Sequence, residues 1–436
     1  MDPENFIDPN LTEPDLLVLQ SLLADADSGR SGRVAPPPAL RLRQTSASKE
    51  LRLSQDDETI QKLKDLNDPE SSTFDPTVFV TWDTTHLTAN PFLYKWLIQP
   101  YTDFARQIVR VETDVVMLTH LILYFTTSVP SAIILYANFH WLHGLLHWIM
   151  QSYYVGTYTL MMHQHIHMGG ILKKSKTPTP ITIFDSVFPY LTNPLMGHTW
   201  NSYYYHHVKH HHVEGNGPHD LSSTIRYQRD SLPDFLAYVA RFFFLIWAEL
   251  PLYFYRKGKP TLAAKAAFWE ISNYLVLVAL WQFVNWKATL FVFVLPLIQL
   301  RIGLMVGNWG QHAFVDEVDP DSDFRSSITL IDVASNRFCY NDGYHTSHHL
   351  NPLRHWRDHP VSLLQQKQKY AAEGALVFRN IDYIMITIRL LRKDYDYLAR
   401  CLVPMGDQVG MSLEERAEML RTKTRAFREE DVKEKF

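Results

Sequence analysis

From Val115 to Ala137 the chain carries no charged residue, and from Phe139 to Met162 it again carries none, with one residue between the two stretches. Each is long enough to cross a hydrocarbon core about 30 Å thick as a helix, and their near contiguity predicts a helical hairpin. Inside a bilayer every backbone polar group must be satisfied within the protein, which leaves helices or closed barrels. A second apolar pair runs from Ile271 to Trp286 and from Ala288 to about Val306, broken at Asn285-Trp286-Lys287, with Pro296 inside it and Arg301 towards its end.

A fifth apolar stretch, Phe235 to Tyr255, contains Arg241, Glu249 and Pro251 and is followed by Arg256 and Lys257. Its aromatics and charges suit a helix lying at the membrane surface. The expected organisation is a polar, disordered N-terminal region over 1–73 and an interfacial lead-in over 74–112. A membrane domain follows over 113–360, then C-terminal helices on the cytosolic side over 361–436. Within the membrane domain the expected spans are about 114–137, 139–162, 268–286 and 288–308, with the surface helix at about 235–255. The fold class expected is an all-α integral membrane protein, with four transmembrane helices in two hairpins under a cytosolic helical cap. Residues Ser28 to Glu50, with Pro36-Pro37-Pro38, have too little apolar content to pack. Ser412-Leu-Glu-Glu415 reads as a capping box for a solvated C-terminal helix.

The 436 residues carry a formal charge of −4 and no basic patch, so nothing points to nucleic acid. Met1 to Asp68 has no secretory h-region, which makes the expected membrane anchor internal. Cys339 and Cys401 are the only thiols, which excludes a disulfide framework and suits a reducing, cytosol-facing environment. Lys173-Lys174-Ser175-Lys176 favours the cytosolic side for the segment after the first hairpin.

Sixteen of the 21 histidines lie between His163 and His359, most of them in three clusters. These read His163-Gln-His165-Ile-His167, then His206-His207-Val-Lys-His210-His211-His212, then His345-Thr-Ser-His348-His349. On a helix, residues three and four apart share a face. His163 with His167, His207 with His210 and His211, and His345 with His348 and His349 can therefore converge. Eight neutral imidazoles in one pocket are costly to desolvate without a compensating cation, and eight exceed the needs of one ion. A thiol-free imidazole set suits iron, zinc, copper or nickel. In box two, His206 or His212 can substitute for a member of the set, and His165 points off the face shared by His163 and His167. Bound imidazoles donate their other N–H to a carboxylate or carbonyl, for which Glu214, Asp220, Asp316 and Asp342 are near in sequence, with His198 and His219 flanking box two. His140, His143 and His147 form a separate set. Sixteen residues from His147 to His163 span about 24 Å at ~1.5 Å per residue, so they are expected to hydrogen-bond within the helix bundle.

The order HxxxH, HxxHH, HxxHH, with box one after the first hairpin and box three beyond the second, resembles the membrane fatty acid desaturase family, which includes hydroxylases and acetylenases. The resemblance covers roughly Val115 to His359. It implies two iron ions on the cytosolic side of four transmembrane helices, an acyl chain in a bent apolar tunnel, O2 as co-substrate and, by extension, an endoplasmic reticulum location. Asn308-Trp-Gly-Gln-His312 closes the last apolar segment and matches an Asn-x-x-x-His element of acyl-CoA desaturases in this family. By that resemblance His312 joins His163, His167, His207, His210, His211, His345, His348 and His349 as a metal ligand, with Asn308 acting through water. The sequence lacks the His-Pro-Gly-Gly motif of a fused cytochrome b5 domain, so electrons are expected from a separate donor such as cytochrome b5 and its reductase. The motifs do not separate desaturation from hydroxylation. A reading from another class is a divalent-metal carrier with His-rich loops. It would call for ligands at mid-membrane depth, where the first hairpin offers no carboxylate.

Overall fold

A computed structural model describes residues 3–4, 6–9, 11–31, 55–80 and 82–436. Most of the Ser28–Glu50 stretch, with its three prolines, lies outside the described residues. The chain is mostly helical. Six long helices organise it: α1 (Glu13–Ser31), α2 (Val115–Ala137), α3 (Trp141–Met168), α4 (Leu232–Arg256), α5 (Pro260–Phe283) and α6 (Trp286–Gln311). A short helix, α7 (His345–Leu350), carries the third histidine box. Against the all-helical expectation there are two small sheets. One is an antiparallel pair at Thr77–Phe79 and Trp82–Asp83; the other pairs Ile328–Leu330 in parallel with Leu376–Phe378.

The sequence determines several helix boundaries. Gly169 ends α3 in the left-handed conformation at φ 67°, which glycine adopts without steric cost. Asn285 opens α6 by accepting from the Ala288 amide. Wide, π-type turns at Tyr124–Ser128 and Leu290–Val294 lie just ahead of Pro130 and Pro296. A proline removes one intrahelical donor and crowds the carbonyl four residues back, so the turn before it opens.

Among the described residues, four helices are long and apolar enough to cross a membrane: α2, α4, α5 and α6. No more than 33% of the apolar window of any of them is buried within the protein. Their outward faces present Ile133, Ile134, Leu275, Val278 and Phe283. An apolar helix so little covered by protein requires an apolar solvent, and this is a membrane protein. Composition alone picks out α4, which the sequence reading laid at the surface, and passes over α3, which that reading drove through. The polar residues His143, His147 and Gln151 of α3, and box one in its last turns, lower its hydropathy.

The end remote from the histidine boxes is closed by two short turns that lie together. Trp141 packs edge-on to Trp286 with ring centroids 6.3 Å apart, Lys287 lies over the Trp141 ring, and Tyr136 Oη meets Thr289 Oγ1 at 2.8 Å. Helix α4 behaves differently, because both of its ends reach the histidine layer. Near its start Tyr238 bonds to the Ser222 carbonyl, and near its end Tyr253 packs 4.2 Å from the His210 ring and donates to Glu214 at 2.5 Å.

The N-terminal region departs from the expectation of a polar, unpacked segment. Val18, Leu19 and Leu22 of α1 are buried against Val361, Leu363 and Val403. The short apolar run Leu16-Leu17-Val18-Leu19, followed by Leu22-Leu23, supplies this face within an otherwise polar stretch. Ser412 and Glu415 do form a reciprocal capping box, but its helix buries Ala417 and Leu420, and a further turn of helix follows at Glu429–Lys435.

Candidate metal centre

Four parts of the chain meet at one end of the bundle: the last turns of α3, the segment Tyr204–His211 with His212 after it, His312 just past α6, and α7. Five imidazoles, from His163, His167, His207, His212 and His348, offer ring nitrogens all within 4.8 Å of one another. Four more, from His211, His312, His345 and His349, form a second group by the same measure. The groups adjoin, with the His212 and His349 rings 5.4 Å apart.

The segment Tyr204–His211 is a π-helix, and this decides which box-two side chains converge. In a π-helix the hydrogen-bond period is five residues, so positions i and i+5 are brought together as well as i and i+4. His207 Nε2 and His212 Nε2 lie 3.1 Å apart, and the His206 ring stacks on His211. His210 turns away from both groups. Its Nε2 accepts from the Leu221 amide at 2.9 Å, and it gathers with His206 and Asp220. Because Leu221 donates to Nε2, the proton of neutral His210 sits on Nδ1, leaving no lone pair for a cation. This third group therefore does not fit a metal.

The other two groups do. His312 Nδ1 lies 2.7 Å from the Ser326 carbonyl and must donate to it; His211 Nδ1 lies 2.8 Å from Asp220, and His349 Nδ1 3.4 Å from Asp323. With the Nδ1 protons so placed, the Nε2 atoms of His211, His312 and His349 carry lone pairs. The His345 Nε2 atom is 3.1 Å from both His312 Nε2 and His349 Nε2, and one proton cannot serve two lone pairs. In the first group His348 Nε2 lies 3.1 Å from His163 Nε2 and 2.8 Å from His212 Nε2, while His167 Nε2 is buried without a partner. Converging lone pairs repel unless a cation lies among them, and outward N–H groups held by carboxylate or carbonyl are how bound imidazoles are oriented.

Electrostatics agree. Burial, followed by neighbouring imidazoles, holds His207, His345 and His348 neutral, well below the usual histidine range. Burial opposes ionisation of Asp220, but the His211 ring against it keeps its carboxyl well below the usual carboxylate range. A neutral imidazole set backed by a carboxylate is what a divalent cation binds.

Of the other residues singled out in the sequence, His165 lies 3.0 Å from the Asp185 carbonyl, off the shared face. Asn308 donates to the Ser222 carbonyl at 2.8 Å and to Tyr238 Oη at 2.7 Å, next to Asp220. Glu214 is taken by Tyr253 and Lys257, Asp316 by Lys423 and Arg325, and Asp342 by Gln311. His143 and His147 share Ser131 Oγ at 2.8 and 2.9 Å, within the bundle. The imidazole partners Asp323 and Ser326 were not anticipated. They sit beyond α6 in a short helical turn, Asp323–Ser326, without a motif, and only the fold brings them to His349 and His312.

A family model described as fatty acid desaturase matches residues 140–361, which takes in all three boxes and half of the chain. The chain belongs to the fatty acid desaturase family. Comparison with curated proteins and with solved structures gives no match. Within the desaturase domain a cavity adjoins the histidines. Tyr203, whose ring stacks on His207 at 5.1 Å, shares its wall with His198 and His206, and Phe242, Ile246, Leu250 and Leu300 supply apolar lining. Gly197 lets this wall close on α6: at φ 84° it brings its Cα so near the Pro296 carbonyl that a Cβ would stand 2.3 Å from the oxygen.

Proposed function

We propose that this protein is an O2-dependent fatty acyl lipid desaturase whose centre holds two iron ions. One ion sits among His163, His167, His207, His212 and His348, and the other among His211, His312, His345 and His349. The observation that carries the reading is the pair of adjoining lone-pair clusters in a family member. Two irons there would supply O2 activation and hydrogen abstraction from an unactivated methylene. The chain's own work is positional. Asp220, Asp323 and the Ser326 carbonyl fix imidazole orientation, the ring of Tyr203 separates the cavity from His207, and the apolar lining excludes water from the chain segment held there.

In this reading α2, α3, α5 and α6 cross the bilayer as two hairpins, and α4 lies along the cytosolic surface because both of its ends touch the histidine layer. The centre then faces the cytosol, with the endoplasmic reticulum as the membrane and a separate protein, such as cytochrome b5 with its reductase, as electron donor.

The test is lipid profiling of a host expressing the wild type beside the His348→Ala variant. The expected result is an acyl lipid two hydrogens lighter, present only with the wild type. A product one oxygen heavier replaces desaturation with hydroxylation on the same centre, and identical profiles overturn the reading.

A further inference from the structure

The cavity beside the histidines contains a feature that hydrocarbon does not need. Glu270 of α5 and Arg301 of α6 form an ion pair in its wall, 5% and 8% exposed. The Glu270 carboxylate is fully engaged, since Thr199 donates to Oε2 at 2.6 Å and Tyr274 and Arg301 both donate to Oε1. The guanidinium is not. It has five N–H groups; one goes to Glu270, another to the Phe243 carbonyl at a long 3.5 Å and a third to Tyr274. The side chain faces the cavity, and its ring partner is Tyr274 at 5.6 Å.

Ionised side chains within apolar helices are costly and face functional cavities, and a buried pair is commonly no more stabilising than an apolar substitute of equal volume. Tying α5 to α6 would not require it, because the two helices are already joined by a short turn. The pair is neutral overall and offers unused donors. It therefore suits a neutral acceptor oxygen, whereas a carboxylate would leave a net negative charge in an apolar cavity. It is also close to the centre, because Thr199 follows His198, and the His206 ring that shares this wall stacks 6.4 Å from His211.

We propose that this cluster binds the uncharged polar group of the lipid, a hydroxyl or amide-type carbonyl oxygen accepting from Arg301, so that the carbons presented to the histidines are those nearest that group. The inference rests on the oxidase reading only in taking this cavity as the substrate site. It makes the substrate a polar lipid oxidised near its polar end, instead of a free fatty acid oxidised deep in its chain.

The test is equilibrium binding of octadecanol, octadecane and stearate to the purified full-length protein in detergent, beside the paired variant Glu270→Leu/Arg301→Met. For the wild type, octadecanol is expected to bind about tenfold tighter than octadecane, the magnitude of one hydrogen bond to a charged group, with stearate weaker than octadecanol. In the paired variant octadecanol and octadecane bind alike. Equal binding of octadecanol and octadecane by the wild type overturns the proposal, as does a preference for stearate or a preference for octadecanol that survives in the variant. The wild-type ranking decides without the variant if the latter misfolds. Selective octadecanol binding in a protein that alters no host lipid upholds the cluster as a polar-lipid site and overturns the oxidase reading.

Discussion

His207 and His212, five residues apart, face each other Nε2 to Nε2 at 3.1 Å, while His210, three residues from His207, points to the Leu221 amide. Alanine at His212 is therefore expected to lower bound iron about as far as alanine at His207. His210→Ala should keep its iron and lose stability, since a buried amide loses its acceptor at a cost of about 1–3 kcal/mol. Iron per protein by elemental analysis, with thermal unfolding, separates the two. Iron loss confined to His210→Ala would return box two to an α-helical register.

Asp220 accepts from His211 Nδ1 at 2.8 Å and also from the Ser222 amide. Asp220→Asn keeps the shape but removes the charge that stabilises the ligand's N–H. Metal affinity is expected to fall roughly 10–100-fold, measured by competition with a chelator. An unchanged affinity would reduce Asp220 to a loop-forming role.

His198 and His359 give a pH dependence whose sign is fixed. Burial pushes His198 down to about 3, and burial with Arg354 and His355 pushes His359 down to about 3. An unfolded histidine titrates at about 6.5, so between these values the unfolded state binds more protons and stability falls with acidification. The metal-free protein should lose up to about 1.4 kcal/mol per pH unit per group below about pH 6.5. Denaturant unfolding compared between His359→Gln and wild type checks it, the variant having the shallower slope.

If α4 lies along the surface, its two ends are on one side. Cysteines placed at Arg226 and Arg256 should both react with a membrane-impermeant maleimide applied from the cytosolic face of sealed microsomes. Labelling of the two from opposite faces would make α4 a crossing helix.

Leu19 of α1 is fully buried against the C-terminal helices. Leu19→Ala should cost about 2–5 kcal/mol without changing iron content. A shift below about 1 kcal/mol would mean that this contact does not hold in solution.

The sequence by itself determined the membrane class, the two apolar pairs, three metal-grade histidine clusters and the family, because each is a local pattern: absence of charge over a bilayer's length, or imidazoles at short spacing. Boxes one and three gather as their spacing implies, since His163 and His167 are one α-helical turn apart, as are His345 and His349. In box two the helix is π-wound, so His212, which the sequence reading kept as a substitute, gathers with His207, while His210, which the α-helical period favoured, turns to the Leu221 amide. The proposed surface position of α4 rests on the demand that all boxes share one side, because length and hydropathy alone favour a crossing. Asp220 was among four candidate partners in the sequence, but tertiary structure alone decided that it meets His211, that Asp323 and the Ser326 carbonyl meet His349 and His312, and how Arg301 meets Glu270. These contacts join residues 9 to 31 positions apart, and no spacing rule in a linear sequence encodes contacts that depend on how helices pack.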